Sequence, residues 1–121
     1  MFDLNEFLLE LDHMYATNPK GVEAYLKSGL EEAGKCLDGL AMLTILNELM
    51  GYYRVMSKPT ECEWCIEKAK RIADQLGIQG TTDYATMLLN IGTAQRVMEQ
   101  MDKAEANYEE AYTIFKEKLH E

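Results

Sequence analysis

Hydrophobic residues recur along this chain at the three- and four-residue intervals of an α-helix. The opening segment is typical, with Leu4, Phe7, Leu8 and Leu11 on one stripe and acidic residues between them. Spacing of this kind places the apolar side chains on one helix face, where a neighbouring helix can bury them. No segment shows the strict alternation of apolar and polar residues that is typical of a half-buried strand. The pattern therefore predicts an all-α protein.

Turn and cap residues divide the pattern into six predicted helices. Asp3–Glu6, Thr60–Glu63 and Asp102–Glu105 have the spacing of a capping box, in which the first side chain accepts a backbone N–H at the helix start. Asn18 is expected to cap the second helix, and Gly77 to end the fourth. The predicted helices cover about residues 4–16, 19–37, 40–56, 60–76, 82–98 and 102–119.

The sequence repeats itself at a fixed interval. Arg54-Val55-Met56 recurs as Arg96-Val97-Met98, and at the same offset the apolar stripe of the third predicted helix falls on that of the fifth. The first helix fits the third at this offset, and the second fits the fourth at an offset shorter by two. Self-similarity at a fixed period indicates a stack of similar units. We therefore expect one domain of three helix–turn–helix units, over about residues 1–39, 40–80 and 81–121.

The third unit carries the residues of a known repeat. Its first helix and then its second contain Leu88, Ile91, Gly92, Ala104, Tyr108 and Ala111. This pattern resembles the tetratricopeptide repeat, and the interval from Arg54 to Arg96 resembles the long form of that repeat in kinesin light chains. The resemblance implies an α-solenoid of three hairpins, six antiparallel helices in all, in which Gly92 lets two helices approach closely and Tyr108 fills the space between them. It also implies a protein-interaction module.

In such a solenoid the first helices of the hairpins form a concave wall, so their residues outside the apolar core stripe are candidate binding residues. In the second and third units these positions are Thr44, Asn47, Gly51, Arg54, Thr86, Asn90, Thr93 and Arg96, and in the first unit they are Phe2, Asn5, Leu9 and Asp12. We expect the paired asparagines to hold the backbone of a peptide or partner helix, and the two arginines to bind carboxylates. The alternative is that each arginine pairs with a neighbouring glutamate on a solvated surface.

Cys62-Glu63-Trp64-Cys65 is the motif that could support chemistry. Two thiols at a helix N-terminus could exchange disulfides or supply half of a zinc site. No second cysteine pair or nearby histidine completes four ligands, however, and Cys62 falls on the small-residue position of the repeat, where a thiol packs as a small hydrophobe. We therefore favour a packing role over a redox or metal role, and expect no cofactor and no bound metal. Cys36 is expected to be buried near the end of the second helix.

Charge and composition exclude several classes of function. The 121 residues carry a net charge of −9, which disfavours binding to nucleic acid or to anionic lipid. No stretch is apolar over the length of a membrane span, the N-terminus does not resemble a signal peptide, and three cysteines do not form a disulfide framework. No nucleophile–base arrangement or phosphate-binding loop is present. We expect a cytoplasmic protein without catalytic residues.

The last predicted helix suggests a different role. The second helix of each hairpin in a solenoid is normally covered by the next hairpin, and here the sequence ends with that helix. Tyr112, Phe115 and Leu119 are therefore expected to be uncovered and to mediate self-association. The alternatives to a peptide-binding module are a homo-oligomerising structural unit or the front part of a longer repeat array.

Overall fold

The chain is helical almost throughout residues 1–120, the part that the computed structural model describes, and within that part there are six α-helices and no strand. The helices are α1 (Leu4–Thr17), α2 (Val22–Lys35), α3 (Gly39–Val55), α4 (Pro59–Leu76), α5 (Thr82–Val97) and α6 (Met101–Leu119), and a 3-10 turn (Pro19–Gly21) precedes α2. The predicted all-α class is therefore confirmed. Residue 121, the end of the third predicted unit, lies outside the described residues. None of the described helices is long and apolar enough to cross a bilayer.

The first predicted cap is confirmed, and three others are wrong. The Asp3 carboxylate accepts the backbone N–H of Glu6 at 3.0 Å. The side chain of Asn18 caps nothing, because the chain passes through the 3-10 turn before α2 begins. Thr60 and Asp102 lie inside the first turns of α4 and α6, which begin one residue earlier in each case than the predicted caps. For α4 the reason is Pro59, whose fixed φ and missing N–H suit the first helical position.

Four of the described helices end with one residue in the left-handed backbone conformation. Gly77 ends α4 as predicted, with a φ of 65°. The other three positions are Leu37, Ser57 and Glu99, with φ values of 55°, 57° and 63°. In each case the next residue donates its N–H to the carbonyl five residues earlier, at 2.8–3.4 Å, which satisfies an end-of-helix acceptor. Ser57 and Glu99 are separated by one repeat interval, so α3 and α5 end in the same way.

Helix α3 is the centre of the packing. It contacts α2, α4 and α5, while α5 packs along α6 and more lightly against α4. Ile45, Leu46 and Leu49 of α3 are completely buried. Contact between α1 and α2 is much less extensive than contact between α5 and α6. α1 is joined to this centre through α2, and α5 packs directly against α3.

In two helix pairs a glycine of one helix meets an aromatic ring of the other. A Cβ atom on Gly92 of α5 would lie 2.9 Å from a ring carbon of Tyr108 on α6, so the predicted contact between these two residues is confirmed. In the α1–α2 pair a contact of the same kind is made, but the ring belongs to the first helix and the glycine to the second. There, the ring of Phe7 on α1 occupies the space that a Cβ on Gly29 of α2 would need. The Phe7 ring also stacks on Tyr25 with a centroid distance of 4.5 Å.

Candidate functional site

Three adjoining cavities lie along the surface that α1, α3 and α5 share. Their volumes are about 860, 310 and 30 Å³, and Asn47 and Asn90 line all three. They are therefore parts of one groove, which runs from the end of α1 across α3 to α5. The residues that define this groove include Tyr15, Lys20, Thr44, Asn47, Glu48, Gly51, Tyr52, Arg54, Thr86, Asn90 and Thr93.

The groove brings together seven of the eight residues that the repeat register marks in the second and third units. These are Thr44, Asn47, Gly51, Arg54, Thr86, Asn90 and Thr93. Arg96 is exposed and does not line the three cavities. Arg54 lines a cavity together with residues of α5, whereas the Arg96 side chain is exposed on the surface of α5. The two arginines share a register position but not an environment.

The three threonines of the groove use their hydroxyl protons within their own helices. Thr44, Thr86 and Thr93 each donate to the carbonyl four residues earlier, at 3.2, 3.0 and 2.9 Å. The hydroxyl oxygen of Thr93 also lies 3.1 Å from that of Tyr108. A ligand would therefore find these side chains as hydrogen-bond acceptors, and not as free donors.

The two asparagines have no such partners. Neither Asn47 nor Asn90 makes a side-chain hydrogen bond with any residue in the range 1–120, and the Oδ1 atom of Asn47 is buried without a partner. A buried acceptor without a hydrogen bond costs about 1–3 kcal/mol relative to a paired one. An N–H donor in the groove would recover that free energy only once the Asn47 side chain turned its oxygen toward the groove.

Arg54 is half-buried and makes no ion pair or side-chain hydrogen bond within the described chain. The alternative that it pairs with a neighbouring glutamate is therefore not found there, and the same holds for Arg96. A guanidinium can donate two parallel hydrogen bonds to one carboxylate. Arg54 is available for such a contact at the α3–α5 side of the groove.

A carboxylate and two tyrosines line the opposite side of the groove, near α1. Glu48 is half-buried, and burial and then the charge of Asp12 raise the pKa of its carboxyl group. Burial, the charge of Glu48 and the neighbouring Tyr52 raise the pKa of the Tyr15 hydroxyl. The register marked Asp12 but not the other three residues, and the two tyrosines continue apolar stripes that indicate only core packing. The proximity of Tyr15 to Glu48 and Tyr52 depends on where the end of α1 lies relative to α3.

The two cysteines of the Cys62–Cys65 motif are buried inside the protein. Burial raises the pKa of both thiols, and that of Cys65 reaches about 12. The Cys62 thiol donates to the carbonyl of Met50 at 3.8 Å. Thiols that are protonated and shielded at neutral pH are poor nucleophiles and poor metal ligands. Within residues 1–120 no group of three or more His, Cys, Asp or Glu residues is arranged to hold a metal ion.

The prediction that Cys36 is buried is wrong. Cys36 is exposed, because α2 ends at Lys35 and the cysteine follows as its C-terminal cap. The last buried side chain of that helix is Ala33. The apolar stripe of α2 thus ends sooner than the sequence suggests.

The face of α6 that was expected to be uncovered is only partly so. Tyr112 and Leu119 have 68% and 85% of their surface exposed. Phe115 is half-buried and packs against the core. In the second half of this helix the exposed apolar surface is therefore made by two separated side chains with one anchored ring between them.

Comparisons with family models, with curated proteins and with solved structures give no match for this chain. The resemblance to the tetratricopeptide repeat therefore stays a prediction from the residues and their spacing. A function has to be inferred from the groove itself: its unpaired asparagines, its unpaired arginine and its tyrosine-flanked carboxylate.

Proposed function

We propose that this protein is a non-catalytic interaction module that binds a peptide or helical segment of a partner protein in the groove on α1, α3 and α5. One observation carries the proposal: the side-chain amides of Asn47 and Asn90, two residues that line all three cavities, have no hydrogen-bond partner within residues 1–120. A peptide N–H is a suitable donor, because main-chain groups are the feature that every peptide ligand offers. Asn90, from the neighbouring helix, would bind the next main-chain group.

The proposal includes the arrangement of the six helices as three tetratricopeptide-like hairpins in a short solenoid. It is supported by the matching left-handed residues Ser57 and Glu99 and by the close contact of Gly92 with Tyr108. It is also supported by the helix contacts, since α3 packs against α2 and α4 as well as α5. A cytoplasmic adaptor without a cofactor or nucleic-acid partner is the role that agrees with these features.

The first test is a search for peptide ligands with the full chain. A random peptide library displayed on phage would be selected against the immobilised protein, and affinities of the selected peptides measured by fluorescence anisotropy. Arg54→Glu should weaken binding by about tenfold or more, because a charge-assisted hydrogen bond contributes about 1.5–3 kcal/mol. Asn90→Ala should weaken it by about fivefold, the effect of one neutral hydrogen bond.

Arg96→Glu is the matched control, because it makes the same charge change one repeat away on an exposed side chain. We expect it to change the affinity by less than about twofold at physiological salt. Failure to select any peptide, or equal losses for Arg54→Glu and Arg96→Glu, would contradict binding in this groove. Circular dichroism of each variant would establish that the helices are intact.

A homo-oligomerising unit is the second candidate, favoured by the exposure of Tyr112 and Leu119 on α6. If α6 pairs with a second copy, light scattering should show a dimer whose population increases with concentration. Tyr112→Glu and Leu119→Glu should then give monomers, while Thr113→Glu, an exposed position on the same helix, should not. A monomer at every concentration would exclude this candidate. The redox or metal role has no comparable support, because both thiols are buried.

A further inference from the structure

The α1 side of the groove contains a carboxylate and two aromatic rings in the same cavity. Tyr15 and Tyr52 line the same cavity as Glu48, and Asp12 lies close enough to act on the Glu48 charge. The exposed fraction of the Tyr15 side chain is 44%, so its ring is open to a ligand. This combination of rings and carboxylates is the type of site that attracts a positive charge.

Nothing in the described chain neutralises this carboxylate. Glu48 makes no ion pair and no hydrogen bond within residues 1–120. Lys20 and Arg54 line the same cavity, yet neither lies within ion-pair distance of Glu48. Burial and Asp12 both make the charged form of Glu48 less favourable, as the raised pKa of its carboxyl group shows. A cation brought by a ligand would relieve that unfavourable charge.

We infer that the bound partner segment places a basic side chain, lysine or arginine, between Tyr15 and Tyr52 against Glu48. The inference rests on the proposed function, since it names the chemistry of the ligand in the same groove. A ring face and a carboxylate can contact a guanidinium or an ammonium together. The net charge of −9 adds a general attraction for a basic segment.

The separate positions of Glu48 and Arg54 also predict the order of charged groups along the ligand. Arg54 shares the large cavity with Glu48, but it also lines a further cavity with residues of α4 and α5 and acts on the Cys62 thiol, so it lies nearer α4 and α5. Glu48 lies on the side that faces α1. A segment that crosses α3 would thus place its basic residue over α1 and α3 and an acidic group nearer α5.

The test compares peptides selected from the random library on wild-type protein and on Glu48→Gln. We expect lysine or arginine at one recurrent position in the wild-type set, and no such enrichment in the Glu48→Gln set. A selected peptide should bind Glu48→Gln about tenfold more weakly, in the range of a partly desolvated charge contact. Glu67→Gln, the same change at an exposed position of α4 outside the groove, should leave the affinity within about twofold.

A double-mutant cycle locates the contact. Replacement of the basic residue of the peptide by methionine should cost at least about tenfold on wild-type protein and clearly less, about fivefold, on Glu48→Gln, where only the ring contact remains. Tyr15→Leu keeps an apolar side chain but removes the ring, and should weaken only the peptide that carries the basic residue, by about fivefold. Coupling of this kind would establish the contact with Glu48.

The outcomes separate this inference from the proposed function. If peptides bind and Arg54→Glu weakens them, but no basic residue is enriched and Glu48→Gln binds equally well, the groove is a binding site and the basic-residue inference is wrong. Additive effects of Glu48→Gln and the methionine peptide would also overturn it. If no peptide binds, or if Arg54→Glu has no effect, both proposals fail.

Discussion

The α1–α2 pair and the α5–α6 pair both contain a close contact between a glycine and an aromatic ring, but the helix that supplies the glycine differs. In α5–α6 the glycine is on the first helix and the ring is on the second, as Gly92 and Tyr108. In α1–α2 the ring of Phe7 comes from the first helix and Gly29 from the second. Close approach requires one small and one large side chain, and either helix can supply either of them. Position-by-position comparison of the units therefore underestimates how similar the two contacts are.

The two pairs differ in how much else supports that contact. α1 buries only Phe7 and Leu11, whereas α5 buries seven residues, among them Leu88 and Ile91. The packing of α1 thus depends mainly on the Phe7 ring and on Leu11, and the α5–α6 pair distributes its packing over many residues. We expect the same type of substitution to have a larger effect in α1–α2.

The largest effect is expected for Phe7→Ala. Loss of a buried aromatic side chain should cost about 3–5 kcal/mol of unfolding free energy. Tyr108→Ala should cost less, because the Tyr108 ring is only half-buried. Urea denaturation followed by circular dichroism measures both. A larger loss of unfolding free energy for Tyr108→Ala than for Phe7→Ala would show that the α1–α2 pair does not depend mainly on the Phe7 ring.

Substitution of the two glycines should give the next largest effect. Gly29→Ala places a Cβ in the Phe7 ring, and overpacking of this type costs about 1–3 kcal/mol. Gly92→Ala should cost less, because its Cβ would lie 2.9 Å from the nearest carbon of the Tyr108 ring, farther than the Cβ of Gly29→Ala would lie from the Phe7 ring. Gly51→Ala is the control: nothing lies within 4 Å of its Cβ, and alanine should stabilise α3 by up to about 1 kcal/mol. Equal losses at Gly29 and Gly51 would contradict the steric explanation.

Smaller, stabilising effects are expected where helices end on a left-handed residue other than glycine. Leu37→Gly, after α2, and Glu99→Gly, after α5, should each raise the unfolding free energy by about 1 kcal/mol, since glycine adopts this conformation without strain. The Leu37 side chain is 91% exposed, so its removal loses little burial. Gly77→Ala should have the opposite sign. Thermal melting of the three variants would test this, and a loss of stability for Leu37→Gly would show that its side chain has another role.

The smallest effect is a difference in pH dependence between two positions that are one repeat interval apart. The Tyr53 hydroxyl donates to the Glu23 carboxylate at 2.7 Å, and this hydrogen bond is the main cause that lowers the pKa of Glu23 from 4.5. Its contribution is therefore present above the unfolded pKa and is lost as the pH falls through the lower, folded pKa. Tyr53→Phe should cost about 1 kcal/mol at pH 7 and make stability less sensitive to acid.

The residue at the same position of α5 is Gln95, which accepts from Asn107 at 2.6 Å. Neither of these amides titrates, so Gln95→Leu should change the stability equally at pH 7 and pH 4. Denaturation curves of both variants at the two pH values test the difference. An acid dependence for Gln95→Leu equal to that for Tyr53→Phe would contradict it.

The sequence predicted the helices well because their apolar stripes are long and regular. It erred by one residue at α4, where Thr60 is a plausible cap but Pro59 already begins the helix. It predicted the central groove residues because Asn47 and Asn90 occupy nearly the same register on two similar helices. It missed Glu48 and Tyr15, because their proximity depends on where the end of α1 lies relative to α3. It grouped Arg96 with Arg54, because register alone does not indicate which helix has a neighbour on each side.

Because the three thiols differ in exposure, their reactivity can be used to follow the unfolding of the native chain. Only Cys36 is exposed, and Cys62 and Cys65 are shielded between α3 and α4. A thiol reagent should therefore modify one site rapidly in the folded protein and reach the other two only when α4 separates from α3. The rate of that slower modification would measure how often this part of the core opens, without any engineered label. Conversely, a fluorophore attached at Cys36 would mark the protein at the end of α2, outside the groove residues defined above.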